Sequence, residues 1–278
     1  MMKTLSHFVR HNQKLLLAFL AMIIAYFPTL IWMWDRWFTR DSYYSHGILI
    51  PFVSLFLIYQ MKEELAKIKP KESPWGMRLI IAGVVIHLLA SHPNIRVYFV
   101  SGFSIMLVIP GLILYLYGAE MLKKVAFPIA FLVFMIPLPL VVINKLSLQL
   151  KLFAAELATQ LLNSIRIQAV REGSIIHMRH AEVIVDDVCS GLRSLISLTA
   201  LGAIFAFWLK DAMWKKLVLF FSTIPIAIIT NMCRVVILSA ISEIWGSQYA
   251  VGWVHDTAGF MVFALAFIML YAVGKLLE

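Results

Sequence analysis

Charged residues are scarce in this chain of 278 residues. Only 14% are Asp, Glu, Lys or Arg, and 62% are apolar, whereas soluble proteins carry about 25% charged and about 45–50% apolar residues. A soluble core has no room for so much apolar side chain, so an ordinary soluble domain is excluded. The sequence predicts an all-α polytopic membrane protein, with residues 1–278 forming a single integral-membrane domain.

Cysteines and the common enzyme signatures are also scarce. The two cysteines, Cys189 and Cys233, are too few for a disulfide scaffold. The chain contains no H-E-x-x-H, P-loop or G-x-S-x-G motif, so the sequence does not suggest a zinc protease, a nucleotide hydrolase or an α/β-hydrolase. We expect no metal or other cofactor, and we interpret His177 and His180 as solvated residues rather than metal ligands.

Basic residues exceed acidic residues by nine. They lie between the apolar runs instead of forming one patch. We therefore interpret them as residues that set the orientation of the chain in the membrane, and we expect no nucleic-acid partner. If the N-terminus is inside, one face receives 14 of the 24 basic residues: Lys3, Arg10, Lys14, Lys62, Lys67, Lys69, Lys71, Arg78, Lys123, Lys124, Lys210, Lys215, Lys216 and Lys275. This count predicts that both termini are cytoplasmic.

A membrane-spanning helix needs about 20 apolar residues, and we predict eight such spans. They are Leu15–Trp34, His46–Met61, Met77–Ser91, Val97–Gly118, Val125–Ile143, Leu192–Leu209, Leu217–Ile241 and Thr257–Gly274. The fifth span contains Pro128, Pro137 and Pro139, which we expect to kink or end it on its late side.

Residues 144–188 form the one long insert between predicted spans, on the outer side of the membrane. In its first half, apolar residues recur every three or four positions (Leu146, Leu150, Phe153, Leu157 and Leu161), which predicts an amphipathic helix lying in the membrane interface. In the second half, residues 171–174 look like a turn. After it, every second residue belongs to one of two alternating sets, which predicts a small β-ribbon; the sets are Ile175, His177 and Arg179, then Glu182, Ile184 and Asp186.

Three polar residues fall at one depth on the outer side. Arg234 lies about 17 residues into the seventh span, or roughly 25 Å along it, with Asn231 one turn earlier on the same face. Cys189 lies where the insert enters the sixth span, and His255 lies where the eighth span begins. Charged residues inside a membrane often mark functional sites, but Arg234 alone is equally consistent with a side chain that snorkels to the headgroups.

These residue types suit nucleophilic acyl transfer. A cysteine at a helix N-terminus near a cation is a good nucleophile, a histidine can transfer the proton, and an arginine can donate hydrogen bonds to an oxyanion. The predicted catalytic residues are therefore Cys189, Arg234 and His255. We interpret Cys233 as a packing residue, because it is turned about 100° from Arg234 on the helix.

Several segments resemble the exosortase/archaeosortase family. The run Val185–Ser194, which contains CSGLRS, resembles the cysteine motif of that family. Residues 231–235 (NMCRV) are similar to its arginine motif, and His255 followed by Gly259 is similar to its histidine motif. Tyr44-Ser45-His46-Gly47, Pro137-Leu138-Pro139 and Arg171-Glu172-Gly173 also match family-like segments. Secondary candidates within these segments are Asn231, His46, Ser190 and Arg193.

The resemblance implies a cysteine transpeptidase embedded in the cytoplasmic (inner) membrane. Its partners would be membrane lipids and exported proteins with a C-terminal motif, a transmembrane helix and a basic tail. It would cleave that tail at the outer face and pass the protein to a surface acceptor, with Cys189 as nucleophile, Arg234 stabilising the transition state and His255 as acid and base. The alternatives are a transporter or polysaccharide-export subunit in which Arg234 and His255 line a polar path, and a non-catalytic scaffold.

Overall fold

The computed structural model describes residues 16–186, 190–250 and 252–278, and for residues 255 and 256 it describes the backbone alone. The described chain is mostly α-helical with one small sheet, as expected of a helical membrane protein. It divides into two compact units, Met1–Leu138 and Pro139–Glu278. Both units have long apolar helices.

The first unit consists of helices alone. Its described elements are α1 Leu16–Ala25, α2 Phe27–Phe38, α3 Leu49–Gln60, α4 Lys62–Leu65, α5 Pro74–Ser91, α6 Tyr98–Leu116, α7 Ala119–Lys124, α8 Ala126–Phe131 and a 3₁₀ helix Leu132–Met135. Helices α1 and α2 meet at a bend of 69°.

Glycines let helices α5 and α6 approach very closely. A Cβ atom added to Gly76 would lie 2.2 Å from the backbone nitrogen of Tyr115, and one added to Gly111 would lie 2.9 Å from that of Ile80. Small residues at such contacts are typical of helix pairs in membranes, where apolar burial alone does not favour protein over lipid.

A buried polar network stands beside the bend between α1 and α2. His87 of α5 is bonded through Nδ1 to the Ser101 hydroxyl at 2.7 Å and through Nε2 to the carbonyl oxygen of Ala25 at 3.0 Å. Its ring stacks on Tyr26 with the centroids 3.9 Å apart. These bonds satisfy polar groups that would be costly to leave unpaired inside the bundle.

Two loops of the first unit that the charge count assigns to one side are joined in the structure. Lys124 Nζ donates a hydrogen bond to Glu64 Oε2 at 2.8 Å, and this bond and the lysine charge lower the pKa of the Glu64 carboxyl. The backbone N–H of Lys71 donates to the carbonyl of Tyr117 at 3.1 Å. The predicted topology and the fold therefore agree that these loops share one end of the unit.

The second unit combines helices with the small sheet. Its described elements are α9 Leu140–Ser164, β1 Ala169–Glu172, β2 Ile175–Met178, β3 Glu182–Ile184, α10 Leu192–Trp208, α11 Met213–Trp245, a 3₁₀ helix Ser247–Tyr249 and α12 Trp253–Leu277.

Helices form at all eight predicted span positions, but not all of them are long enough to cross a membrane. Four helices meet the requirements of length and composition, and up to six do if each of two bent pairs is one span. The predicted second and sixth spans correspond to helices of 12 and 17 residues, Leu49–Gln60 and Leu192–Trp208. The structure thus supports a helical membrane protein, and the count of eight spans remains a prediction.

The proline-rich end of the fifth predicted span behaves as expected. The helical segment ends at Met135, Ile136 is extended, and α9 begins directly after Pro139, at Leu140. Proline cannot donate the backbone hydrogen bond that a continuing helix needs. The prediction placed the end of this span at Ile143 and the start of the insert at residue 144; the helix boundary lies a few residues earlier.

The amphipathic helix of the insert forms, and the protein packs against a face other than the predicted apolar stripe. Leu146 and Phe153 are exposed, whereas Ala154, Ala155 and Ala158 are buried. The alanines contact the sheet and α11 through a core cluster, and the exposed stripe remains available to the membrane interface.

The predicted ribbon is a three-stranded antiparallel sheet in the order β1-β2-β3. Glu172 pairs with Ile175, so Gly173 and Ser174 form a two-residue hairpin loop. Gly173 has a φ of +61°, which glycine adopts without steric cost and which two-residue hairpin loops require.

Candidate active site

The segments on both sides of the predicted nucleophile are fixed by the fold. Cys189 itself lies outside the described residues. Before it, Val185 is buried and its N–H donates to the carbonyl of Ser174 at 2.9 Å. After it, Ser190 is buried and its hydroxyl oxygen accepts a hydrogen bond from the N–H of Leu192, the first residue of α10, at 3.3 Å. The described chain therefore stops at the end of the sheet and resumes at the N-terminus of a helix.

Gly191 packs directly against Asn231 of α11. Gly191 has a φ of +79°, and a Cβ atom added to it would lie 2.8 Å from the Asn231 side-chain carbon Cγ. Asn231 is only 3% exposed. Only glycine suits both the backbone conformation and the close contact, so this pair connects the cysteine-bearing segment to α11.

Arg234 follows one turn later on α11 and packs against Gly259 of α12. A Cβ atom added to Gly259 would lie 3.5 Å from an Arg234 guanidinium nitrogen and 3.8 Å from Cζ. Arg234 is 7% exposed. A snorkelling arginine would extend away from the bundle towards the headgroups, so burial of this side chain against a neighbouring helix excludes the snorkelling interpretation.

His255 lies in the first turns of α12, and its side chain is outside the described part of the structure. It is four residues before Gly259 on one continuous helix, Trp253–Leu277. Residues four apart share a helix face. Of α12, the structure therefore shows the contact of Gly259 with Arg234, one helical turn after position 255.

One segment of α11 thus contacts both of the other motif segments. Asn231 contacts Gly191, two residues after the predicted nucleophile, and Arg234 contacts Gly259, one turn after the predicted acid and base. A guanidinium held in a buried region, as Arg234 is, can donate hydrogen bonds to an oxyanion.

A contact that sequence reasoning missed joins the sheet to the end of α11. Glu243 Oε2 accepts the backbone N–H of His180 at 2.9 Å, and Glu243 Oε1 bonds to His180 Nδ1 at 2.8 Å. The Glu243 side chain is 13% exposed. It therefore fixes the β2–β3 loop at His180, two residues before β3, the last strand before Cys189 in the sequence. The signal in the sequence was a lone acidic residue near the outer end of a predicted span.

The secondary candidates fall in both units. Arg193 is half-buried in the first turn of α10, three residues after Ser190 in the cysteine motif. His46 belongs to the first unit, where its ring stacks on Tyr44 with the centroids 6.0 Å apart. The Tyr44 hydroxyl accepts the N–H of Leu138 at 3.2 Å. Two segments singled out in the sequence, 44–47 and 137–139, therefore contact each other.

The remaining chemical candidates have local roles. Cys233 is a half-buried free thiol. His177 lies 3.5 Å from Glu172 and 3.4 Å from Glu182, across the exposed face of the sheet. Among the side chains that the structure describes, no three His, Cys, Asp or Glu residues are arranged to hold a metal ion.

Comparison with known proteins gives one match. The family model for transmembrane exosortases matches residues 34–272. The chain belongs to the transmembrane exosortase family. No curated protein and no solved structure matches it.

Membership in the transmembrane exosortase family supports a general role as a membrane transpeptidase or protease, with proteins that bear sorting signals as substrates. The matched region includes all three motif segments of the second unit, the 44–47 segment of the first, and the 137–139 segment at the boundary between the units. The resemblance noted in the sequence is thereby confirmed.

Proposed function

We propose that this chain is a cysteine transpeptidase that removes the C-terminal sorting tail of exported proteins at the outer face of the cytoplasmic membrane. In this proposal Cys189 is the nucleophile, Arg234 stabilises the oxyanion and His255 transfers the proton. The protein released from its tail is passed to a surface acceptor.

The observation that carries this proposal is the pair of glycine contacts on α11. Gly191 against Asn231 and Gly259 against Arg234 bring the chain positions next to Cys189 and His255 to one side of a single helix. These segments, of which the outer two are 68 residues apart (from Gly191 to Gly259), have no structural need to meet there. Together with the family match, this favours one composite site over three independent packing contacts.

The chemistry follows from the residue types. The thiolate of Cys189 adds to the scissile carbonyl, and the Arg234 guanidinium donates hydrogen bonds to the oxyanion that forms. The C–N bond then breaks, and protonated His255 gives its proton to the leaving amine. The acyl group remains on sulfur as a thioester until a nucleophile from the acceptor attacks it and the thiol is regenerated.

The proposed membrane arrangement fits this substrate. We propose eight spans, both termini in the cytoplasm, and the site on the outer side. A tail helix that ends in basic residues places those residues in the cytoplasm and its preceding motif at the outer interface. The scissile bond and the proposed site then lie at the same depth.

The test is to co-express a tailed candidate substrate with variants of the two cysteines. We expect Cys189→Ala to abolish the shortened product and leave the substrate full length and in the membrane. Cys233→Ala is the matched control, because it removes the other thiol from a half-buried helix position, and we expect it to process normally at equal protein levels.

The outcomes separate the candidate functions. Normal processing by Cys189→Ala refutes the proposed mechanism. Export of a small molecule or polysaccharide that needs Arg234 but not Cys189 would instead identify a transporter. An assembly that tolerates the loss of Cys189, Arg234 and His255 would identify a scaffold.

A further inference from the structure

A second site lies at the opposite end of α11 from Arg234. A cavity of about 490 Å³ opens between the end of α10, the start of α11 and the end of α12. Its wall is mainly apolar and includes Phe205, Leu219, Phe267 and Tyr271. Phe205 and Phe267 meet edge to face with their centroids 5.5 Å apart. The volume is in the range of about 300–1,000 Å³ that is typical of ligand sites.

The inner end of this cavity is closed by well-packed core. Leu219 of the wall belongs to a buried cluster that continues with Ile226, Ala266 and Leu270. The cavity is therefore an apolar recess that is backed by packed side chains on one side. Its other side lies at the termini of the three helices.

The mouth of the recess is positively charged. Residues 208–219 carry three lysines and one aspartate, and Lys215 is paired with that aspartate, Asp211. At the end of α12, Lys275 donates to Glu278 at 2.7 Å, so those two charges compensate each other. Lys210 and Lys216 account for the remaining positive charge of these segments.

Neither lysine lines the cavity itself, but both lie close to wall residues along the chain. Lys210 directly follows Leu209, which lines the wall. Lys216 precedes Leu219, another wall residue, by three positions on α11 and so shares its face. Trp208 and Trp214 are about half exposed beside them, as is usual for aromatic residues at the headgroup level of a membrane.

We propose that this recess binds one acyl chain of an anionic phospholipid and that Lys210 and Lys216 bind its phosphate. The charge count predicts that this end of the bundle is cytoplasmic, and the cytoplasmic leaflet is the anionic one. The same lysines would repel the basic end of a sorting tail, and they would repel a second copy of this surface. The occupant that the charges favour is therefore an anionic lipid.

The site is separate from the proposed reaction and does not depend on it. Leu219 and Arg234 are 15 residues apart on α11, about 22 Å along the helix. A lipid chain filling the recess would bridge α10, α11 and α12, the three helices that contribute to the proposed active site, without contact with the reacting groups.

The test is lipid retention by the purified full-length protein in native mass spectrometry, with equal amounts of phosphatidylglycerol and phosphatidylcholine of identical chains. We expect one phosphatidylglycerol to be retained preferentially. The double variant Lys210→Gln/Lys216→Gln should lose this preference by about thirtyfold, which corresponds to ~1 kcal/mol for each lysine. The double variant Lys67→Gln/Lys69→Gln removes the same charge from another loop and should retain the preference.

A second variant tests the recess itself. A Cβ atom added to Gly274 would lie 3.9 Å from the Leu219 methyl carbons, which is ordinary contact, so Gly274→Leu is expected to fill the recess and to abolish retention of both lipids. Ala272→Leu enlarges an exposed residue of the same helix outside the recess and should bind as wild type. Equal retention of the two lipids by wild type, retention by Gly274→Leu, or a dimer in place of the lipid complex would overturn the proposal.

Discussion

Replacing Gly191 with alanine tests whether the contact with Asn231 positions the cysteine segment. Two costs add. A φ of +79° costs a non-glycine residue about 1–2 kcal/mol, and the new Cβ atom, 2.8 Å from Asn231 Cγ, must displace a side chain that is only 3% exposed. Overpacking of this kind costs about 1–3 kcal/mol. Gly191→Ala should therefore lower the free energy of unfolding by about 2–5 kcal/mol.

The hairpin glycine provides the matched control. Gly173 has a similar φ of +61°, but no atom lies within 4 Å of its added Cβ, so Gly173→Ala should cost only the backbone term, about 1–2 kcal/mol. In an Asn231→Ala background the clashing Cγ and Nδ2 atoms are gone, and the cost of Gly191→Ala should approach that of Gly173→Ala.

The first measurement is the unfolding free energy of the four variants in mixed detergent micelles, from which a double-mutant cycle gives the coupling between Gly191 and Asn231. The second is the fraction of substrate that each variant processes in cells. We expect Gly191→Ala to lose processing even at matched protein levels, and Gly173→Ala to keep it. If both alanine variants destabilise equally, or if the cost of Gly191→Ala is unchanged when Asn231 is alanine, the contact does not carry the role assigned to it.

Three further predictions concern topology, the oxyanion and the sheet anchor. A cysteine placed at Gln168 should react with a membrane-impermeant maleimide in intact cells and one at Lys67 should not; the reverse pattern would put the site on the wrong side. Arg234→Lys should lower the rate of processing by about 10²–10³ because lysine lacks the planar fork of donors, and near-normal processing would remove the oxyanion role. Glu243→Ala should destabilise the fold by about 1.5–3 kcal/mol because it releases the β2–β3 loop, whereas Glu172→Ala, at an exposed strand position, should be near neutral in the same unfolding assay.

Local features of this fold were predictable where one residue type decides the backbone. Pro137 and Pro139 end a helix because proline lacks the N–H that the next turn needs, and Gly173 marks the hairpin because a two-residue loop needs positive φ. The exact bounds were not predictable. Helix α9 begins at Leu140, since nothing after Pro139 prevents the helix from forming at once.

The packed face of α9 shows what periodicity leaves open in a membrane protein. The sequence predicted an apolar stripe that faces the membrane interface, and Leu146 and Phe153 of that stripe are exposed. The face that the protein buries contains Ala155 and Ala158 together with the larger Leu162. Small residues allow the close approach that helix contacts in a membrane favour, but the sequence pattern does not say which elements they meet.

The candidate site was predictable in its residue types but not in its contacts. The spacing of Asn231 and Arg234 on one helix face follows from the sequence. The glycines that meet them come from α12 and from the start of α10, and the sequence contains no local signal for such long-range contacts. Glu243 was missed for the same reason, because its partner, His180, is 63 residues away.

The surroundings of Arg234 also bear on the choice between catalysis and transport. An arginine that lines a permeation path needs water or a passing ligand beside its guanidinium. Here the guanidinium packs against the backbone at Gly259 and the residue is 7% exposed. A glycine at that point brings the backbone of α12 close to the charge. In the proposed mechanism this burial would hold the guanidinium in place for a short-lived oxyanion, since preorganised donors are most effective where water is excluded.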